Sequence, residues 1–161
     1  MSAVLALHVA AGVTGLVVAW PALLAPKRRG WHPRFGRVYA GALLVMAVTA
    51  LALASADPAR LAGLAVIAVL TLAAGATGVW FARRKPRIGR RGWMVWHLNL
   101  MCSSVIAFVT AFAVTMTDGH WLAWVVPTVI GSPLIARTTA RVVRQGKVGA
   151  RVDAVGVGAR G

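Results

Sequence analysis

Along this chain apolar and polar positions fall into long blocks instead of alternating at helix or strand period. Five blocks, residues 3–25, 38–56, 61–82, 93–117 and 121–136, contain no Lys, Arg, Asp or Glu. Unbroken apolar runs of this length predict helices, not strands. Crossing a hydrocarbon core of ~30 Å takes about 20 helical residues, with a working range of ~17–25. The first four blocks, at 23, 19, 22 and 25 residues, meet that length, and the fifth has only 16. The fifth also holds Pro127, Gly131 and Pro133. It is expected to bend, to extend through Thr138 and Thr139, or to lie partly in the interface. The expected fold is all-α: an integral membrane helical bundle of five transmembrane helices, the fifth resting on the weakest signal.

Charge sharpens that pattern. The chain has 18 Lys+Arg against 3 Asp+Glu, a net charge of +15. Lys27, Arg28, Arg29, Arg34 and Arg37 separate the first two blocks. Arg83, Arg84, Lys85, Arg87, Arg90 and Arg91 separate the third and fourth, and Arg137, Arg141, Arg144, Lys147, Arg151 and Arg160 follow the fifth. With five crossings, 17 of the 18 basic residues share one side, and only Arg60 joins Asp57 and Asp118 on the other. Short Lys/Arg-rich loops stay cytoplasmic, so the N-terminus is expected outside and the C-terminus inside. Four crossings would strand the last basic run outside. Tryptophan agrees. Trp20, Trp31, Trp80, Trp93 and Trp96 fall near the inner ends, and Trp121 and Trp124 near the outer end of the fifth block, as two interfacial belts would require.

The organisation expected is a transmembrane bundle over residues 1–140 and a loose basic cytoplasmic tail over 141–161. No basic segment precedes the first apolar block, so it reads as a retained anchor and not a cleaved signal. An apolar share of 59%, above the ~45–50% of soluble domains, weighs against a soluble enzyme or a nucleic-acid binder. The loops are also too short to build a nucleic-acid reading surface. A single cysteine, Cys102, excludes an intrachain disulfide. The expected setting is a bacterial cytoplasmic (inner) membrane. The expected partners are the bilayer, anionic lipid headgroups at the basic loops, and a larger membrane complex or further copies of the chain.

Candidate chemistry rests on histidine, because no carboxylate or lysine interrupts the blocks. That weighs against a carboxylate-based proton transporter and excludes a Schiff-base lysine. Ionisable groups within membrane helices are functional candidates by default. His8 leads a stripe with Gly12, Gly15 and Ala19, small residues that admit a neighbouring helix or a flat ring. His97 leads a second stripe with Met101, Ser104 and Phe108. His32 lies near the start of the second block and His120 at the start of the fifth, so His8 and His120 are outward and His32 and His97 inward. Three readings stay open. Paired imidazoles are axial ligands for haem b, with His8 and His97 as ligands and His32 and His120 as partners. Two haems, one near each surface, would form a transmembrane electron path. His8, Asp118 and His120 would instead hold a metal at the outer face. In the third reading His8 and His97 hydrogen-bond neighbouring helices, and the protein is a non-catalytic subunit, assembly factor or lipid-interacting protein. A transporter would need a polar midplane, for which Thr49, Thr71, Ser103, Ser104 and Thr110 are available, although such hydroxyls usually bond backbone carbonyls. No catalytic constellation is legible, so the sequence does not decide whether the chain is an enzyme.

Three motifs carry a resemblance: His8-Val-Ala-Ala-Gly12, then Trp31-His32-Pro-Arg-Phe-Gly36-Arg-Val-Tyr39, then Gly92-Trp93-Met94. Over roughly its first two-thirds the chain resembles a domain-of-unknown-function family of small multi-span bacterial membrane proteins. That family shows a histidine and glycine in span one, a His-Arg-x-x-Gly-Arg-x-Tyr opening to span two, and a Trp-Met pair opening a later span. Here one residue is inserted between His32 and Arg34. Arg90 and Arg91 also stand where the family often has histidine, so an inner pair would have to use His97, one turn further in. The family brings no established activity. A looser similarity to four-helix b-type cytochrome domains implies haem.

Overall fold

The computed structural model describes residues 2–25, 30–86, 88 and 92–158, with side chains described between 3 and 144. Lys27, Arg28, Arg29, Arg87, Arg90, Arg91 and Arg160 lie outside the described residues. Five α-helices make up the chain: α1 (Ser2–Leu24), α2 (Trp31–Ala56), α3 (Pro58–Arg84), α4 (Gly92–Met116) and α5 (Trp121–Gly158). Contacts between sequence-distant residues make neighbouring helices antiparallel. His8 near the start of α1 meets Thr49 late in α2, and Ala22 at the end of α1 meets His32 at the start of α2. Each helix packs on the next, and α4 also touches α1, which closes α1–α4 into a four-helix ring. α5 lies outside that ring along α4, and Trp124 reaches over to Gly63 of α3.

The up-and-down order collects the loop charges by end. Arg34, Arg37, Arg83, Arg84 and Lys85 lie where α1 and α3 finish and α2 and α4 begin, and Asp57, Arg60 and Asp118 lie at the opposite end. We call the first the basic end. Helices α1–α4 are each long and apolar enough to cross a membrane. Only 17–33% of their apolar windows is buried within the bundle, so most of that apolar surface faces outward. Exposed apolar area on this scale demands lipid or protein cover. α5 is not among these four. Its apolar run ends at Ala136 and includes two prolines, so the fifth crossing of the sequence reading lacks the same support.

Small residues set the spacing of the ring. A Cβ on Gly15 would stand 2.7 Å from the Phe108 ring, so α1 and α4 approach this closely only because Gly15 has none. Phe108 and Tyr39 lie with ring centres 6.3 Å apart, and Ala11, Ala19, Leu43 and Met46 complete the buried cluster. Two glycines of α3 do the same work. Gly75 receives Leu43 of α2, and Gly78 receives Met101 of α4.

The helices differ from their apolar blocks mainly at their ends. α2 starts at Trp31, seven residues before the second block, because a helix continues through exposed arginines that hydropathy excludes. α3 starts at Pro58, where proline is favoured at the first helical position, and Asp57 caps it by accepting from the Arg60 N–H at 3.3 Å. α5 is unbroken at Pro127 and Pro133 and continues to Gly158. The backbone is thus helical where the sequence suggests a loose tail from residue 141. Membrane-type helices tolerate proline because neighbouring groups re-satisfy the freed carbonyls.

Candidate functional site

Four helices converge on two histidines at the basic end. His32 sits in the first turn of α2 and His97 in the second turn of α4, with ring centres 6.3 Å apart and planes at 89°. Nδ1 of His32 is 2.8 Å from the carbonyl oxygen of Ala22 in the last turn of α1. That carbonyl is one of the four a helix C-terminus leaves without an internal partner. Nδ1 of His97 is 2.7 Å from the carbonyl oxygen of Gly78 in α3. The missing Cβ at Gly78 lets α4 come close enough for this bond: a Cβ there would stand 2.8 Å from the Met101 sulfur. A carbonyl only accepts, so in both rings Nδ1 carries the proton. In a neutral ring Nε2 is then the nitrogen with the lone pair. A ring oriented through Nδ1–H to a backbone carbonyl is the usual outer support of a ligating histidine.

His8 and His120 are arranged otherwise. Nδ1 of His8 lies 3.0 Å from Oγ1 of Thr49. Thr49 has one hydroxyl proton, which it directs at the α2 carbonyls of Val45 and Met46 (2.8 and 3.0 Å), so His8 is the donor and ties α1 to α2. His120 immediately precedes α5, and its Nδ1 accepts from the Leu122 N–H at 3.3 Å. That is the position and the bond of a helix N-cap. Its tautomer is the reverse of the inner pair: Nδ1 accepts, so in the neutral ring Nε2 carries the proton. No ring contact joins His8 to His120 among the described residues, and α1 and α5 are not neighbours.

Asp118 has a backbone role. It adopts the left-handed conformation (φ 50°), and Gly119 donates its N–H to Val114 at 2.8 Å, closing α4 with a Schellman-type turn. Among the described residues no three His, Cys, Asp or Glu side chains gather to hold a metal ion. The structure therefore does not assemble the trio His8, Asp118 and His120. The hydroxyls considered for a transport path bond their own helices: Thr71 to Ile67, Ser104 to Met101 and Thr110 to Ile106, at 2.6–2.9 Å. Ser103 is exposed.

The stripe read from the sequence as His97, Met101, Ser104 and Phe108 does face the ring interior, with Ser104 and Phe108 fully buried. Its pairing was not legible in advance. Ser104 spends its proton on the Met101 carbonyl at 2.8 Å and therefore accepts from the Tyr39 hydroxyl at 3.0 Å. This α2–α4 bond spans the ring a few turns from the histidines. The two carbonyl partners, Ala22 and Gly78, were also invisible to sequence reasoning, because a backbone oxygen carries no residue signal. The nearest clue was Gly78 itself. Beyond the histidines, Arg34 lies over the Trp31 ring at 5.4 Å and Lys85 over Trp93 at 5.5 Å, which keeps cations and indoles together at this end. Compared with known proteins, the chain matches no family model, no curated protein and no solved structure.

Proposed function

We propose that this chain is a multi-pass protein of a bacterial cytoplasmic membrane that binds one b-type haem at its inner, basic end through His32 and His97. The observation that carries the reading is the placement of those two rings. The ring centres are 6.3 Å apart, so one group lying against both side chains would be held by His32 and His97 together. Both rings have Nδ1 committed as donor, as ligating histidines require. A haem brings four ligands of its own and needs two from the protein, whereas a bare zinc site needs three or four side chains. With no third His, Cys, Asp or Glu gathered beside the pair among the described residues, haem suits the site better. When bound, the haem would supply one-electron redox chemistry. The protein's part is to fix both rings through Ala22 and Gly78 and to offer the cations of Arg34 and Lys85 to acidic substituents.

Supporting the membrane half of the reading are the four apolar helices, the separation of charge between the two ends, and tryptophans exposed near the helix ends. Together with the exposed apolar face of α5, these favour five crossings with the N-terminus outside and the C-terminus inside. The same reading keeps the chain with the small multi-span family its motifs resemble. His8 and His120 are not offered as a second haem site, so electron transfer across the whole membrane would need a partner.

An absorption spectrum of detergent-purified protein from haem-replete cells is the test. The expected result is a Soret band that shifts on dithionite reduction and disappears in both His32→Ala and His97→Ala. Colourless wild-type protein would sink the proposal. That outcome would favour the second reading, a non-catalytic membrane subunit, which rests on the observation that His8 and His97 each bond a neighbouring helix. Such a subunit would co-purify with a larger complex.

A further inference from the structure

The basic residues of α5 differ in arrangement from those of the other loops. Arg137, Arg141, Arg144, Lys147 and Arg151 are spaced four, three, three and four residues apart on one continuous helix. At 3.6 residues per turn this confines them to about a third of the circumference. An orientation signal needs basic residues on one side of the membrane, not on one face of a helix. Arg137, Arg141 and Arg144 are exposed and, with Ala140, line a shallow groove of about 210 Å³. No carboxylate among the described side chains pairs with them, and Asp57 and Asp118 are at the far end of the bundle.

The same face changes character along the helix. Towards the N-terminus of α5 it presents Val126, Ile130 and Leu134, all exposed and in register with the arginines. The side turned to α4 is the opposite one: Thr139 bonds Asn99 at 3.1 Å, Gly131 receives Ile106, and Val142 is buried. Sixteen residues separate Trp121 from Arg137, about 24 Å at 1.5 Å per residue. With Trp121 at one interface, Arg137–Arg144 therefore falls where a core of ~30 Å gives way to headgroups.

We infer that this face of α5 is a binding site for one anionic phospholipid, its acyl chains along Val126, Ile130 and Leu134 and its phosphate held by Arg137, Arg141 and Arg144. An apolar run leading into three arginines matches a lipid in sequence along the helix and in depth. A free phosphate would use only the second half. Guanidinium groups suit phosphate because their planar fork donates two hydrogen bonds at once. The inference rests on the crossing of α5 in the reading above and is independent of haem.

The test is a titration of full-length protein in neutral detergent with phosphatidylglycerol, followed by the thermal midpoint, which a ligand specific to the folded state raises. The expected result is a saturable rise with phosphatidylglycerol and none with phosphatidylcholine or millimolar inorganic phosphate. At about fivefold in affinity per arginine near a phosphate surface, R137Q/R141Q/R144Q should move half-saturation by about two orders of magnitude. R37Q/R83Q/R84Q removes the same charge elsewhere and should leave it in place. Should the triple variant fail to fold, R141Q alone, at an exposed position, should shift it about fivefold. Equal response to phosphatidylcholine, competition by inorganic phosphate, an unmoved R141Q, or equal loss in the control triple would each overturn the assignment. A lost Soret band with an intact lipid response would implicate only the haem reading. An outside readout from a C-terminal reporter would overturn the α5 crossing by itself.

Discussion

At the basic end His32 and His97 stand 6.3 Å apart, each with its Nδ1 proton given to the carbonyl of a further helix. At the opposite end His8 and His120 belong to two unrelated contacts, one an α1–α2 tie and the other a cap on α5. Each end has two histidines, yet only one end has a pair. The cause is which helix faces look into the ring. α2 and α4 are not packed directly on each other but face each other across the ring interior, so side chains from the first turn of α2 and the second turn of α4 meet. α1 and α5 lie on different sides of α4 and share no contact. Depth along a helix axis, which sequence can estimate, is a weaker determinant of pairing than which helix faces share the ring interior.

The comparison can be broken first by topology. A reporter fused after Gly161 should read cytoplasmic, an all-or-none result, and an external readout would remove the crossing of α5. Next in size is the division of labour between the histidines. His8→Ala and His120→Ala should keep the full Soret absorbance that His32→Ala and His97→Ala lose, and bleaching by either outer variant would restore the case for two haems. A smaller effect is expected from Gly78→Ala. Its new Cβ meets the Met101 sulfur at 2.8 Å, so the thioether must shift or α3 and α4 must part, at a cost of about 1–3 kcal/mol for overpacking. The measurements are the melting temperature and the haem content, both falling, while Ala73→Gly, a change in the same helix away from that contact, leaves haem content unchanged. Smaller again is His8→Ala as a stability change. Interhelical hydrogen bonds in membrane proteins average about 0.6 kcal/mol, and Thr49 keeps its backbone partners, so detergent melting should fall only slightly.

Much of the fold was legible because membrane-type helices announce themselves by composition, and α1–α4 contain nearly the whole of the first four apolar blocks. Hydropathy failed at helix ends for a physical reason. It records where charge begins, and a helix with exposed arginines continues past that point. His32 shows the consequence: it lies ahead of the second apolar block, while the structure puts it in the first turn of α2, facing His97 of α4. Of the three expectations for the fifth block, the extension through Thr138 and Thr139 is found, and the helix is unbroken at Pro127 and Pro133. For the site, the residue types and the inward position of His32 and His97 could be read, but their tautomers could not. Those are set by the carbonyls of Ala22 and Gly78, and a carbonyl's availability is decided by helix ends and close packing.

The connection between α2 and α3 is a single residue, Asp57, which ends one helix and caps the next through its carboxylate. Consecutive Cα atoms are only ~3.8 Å apart, so the first turn of α3 can never be farther from the last turn of α2 than such a link permits. On the membrane reading proposed above, the end of α2 and the start of α3 would reach the far side together. Neither helix could wait in the other compartment for its neighbour. The two would enter the bilayer as one hairpin.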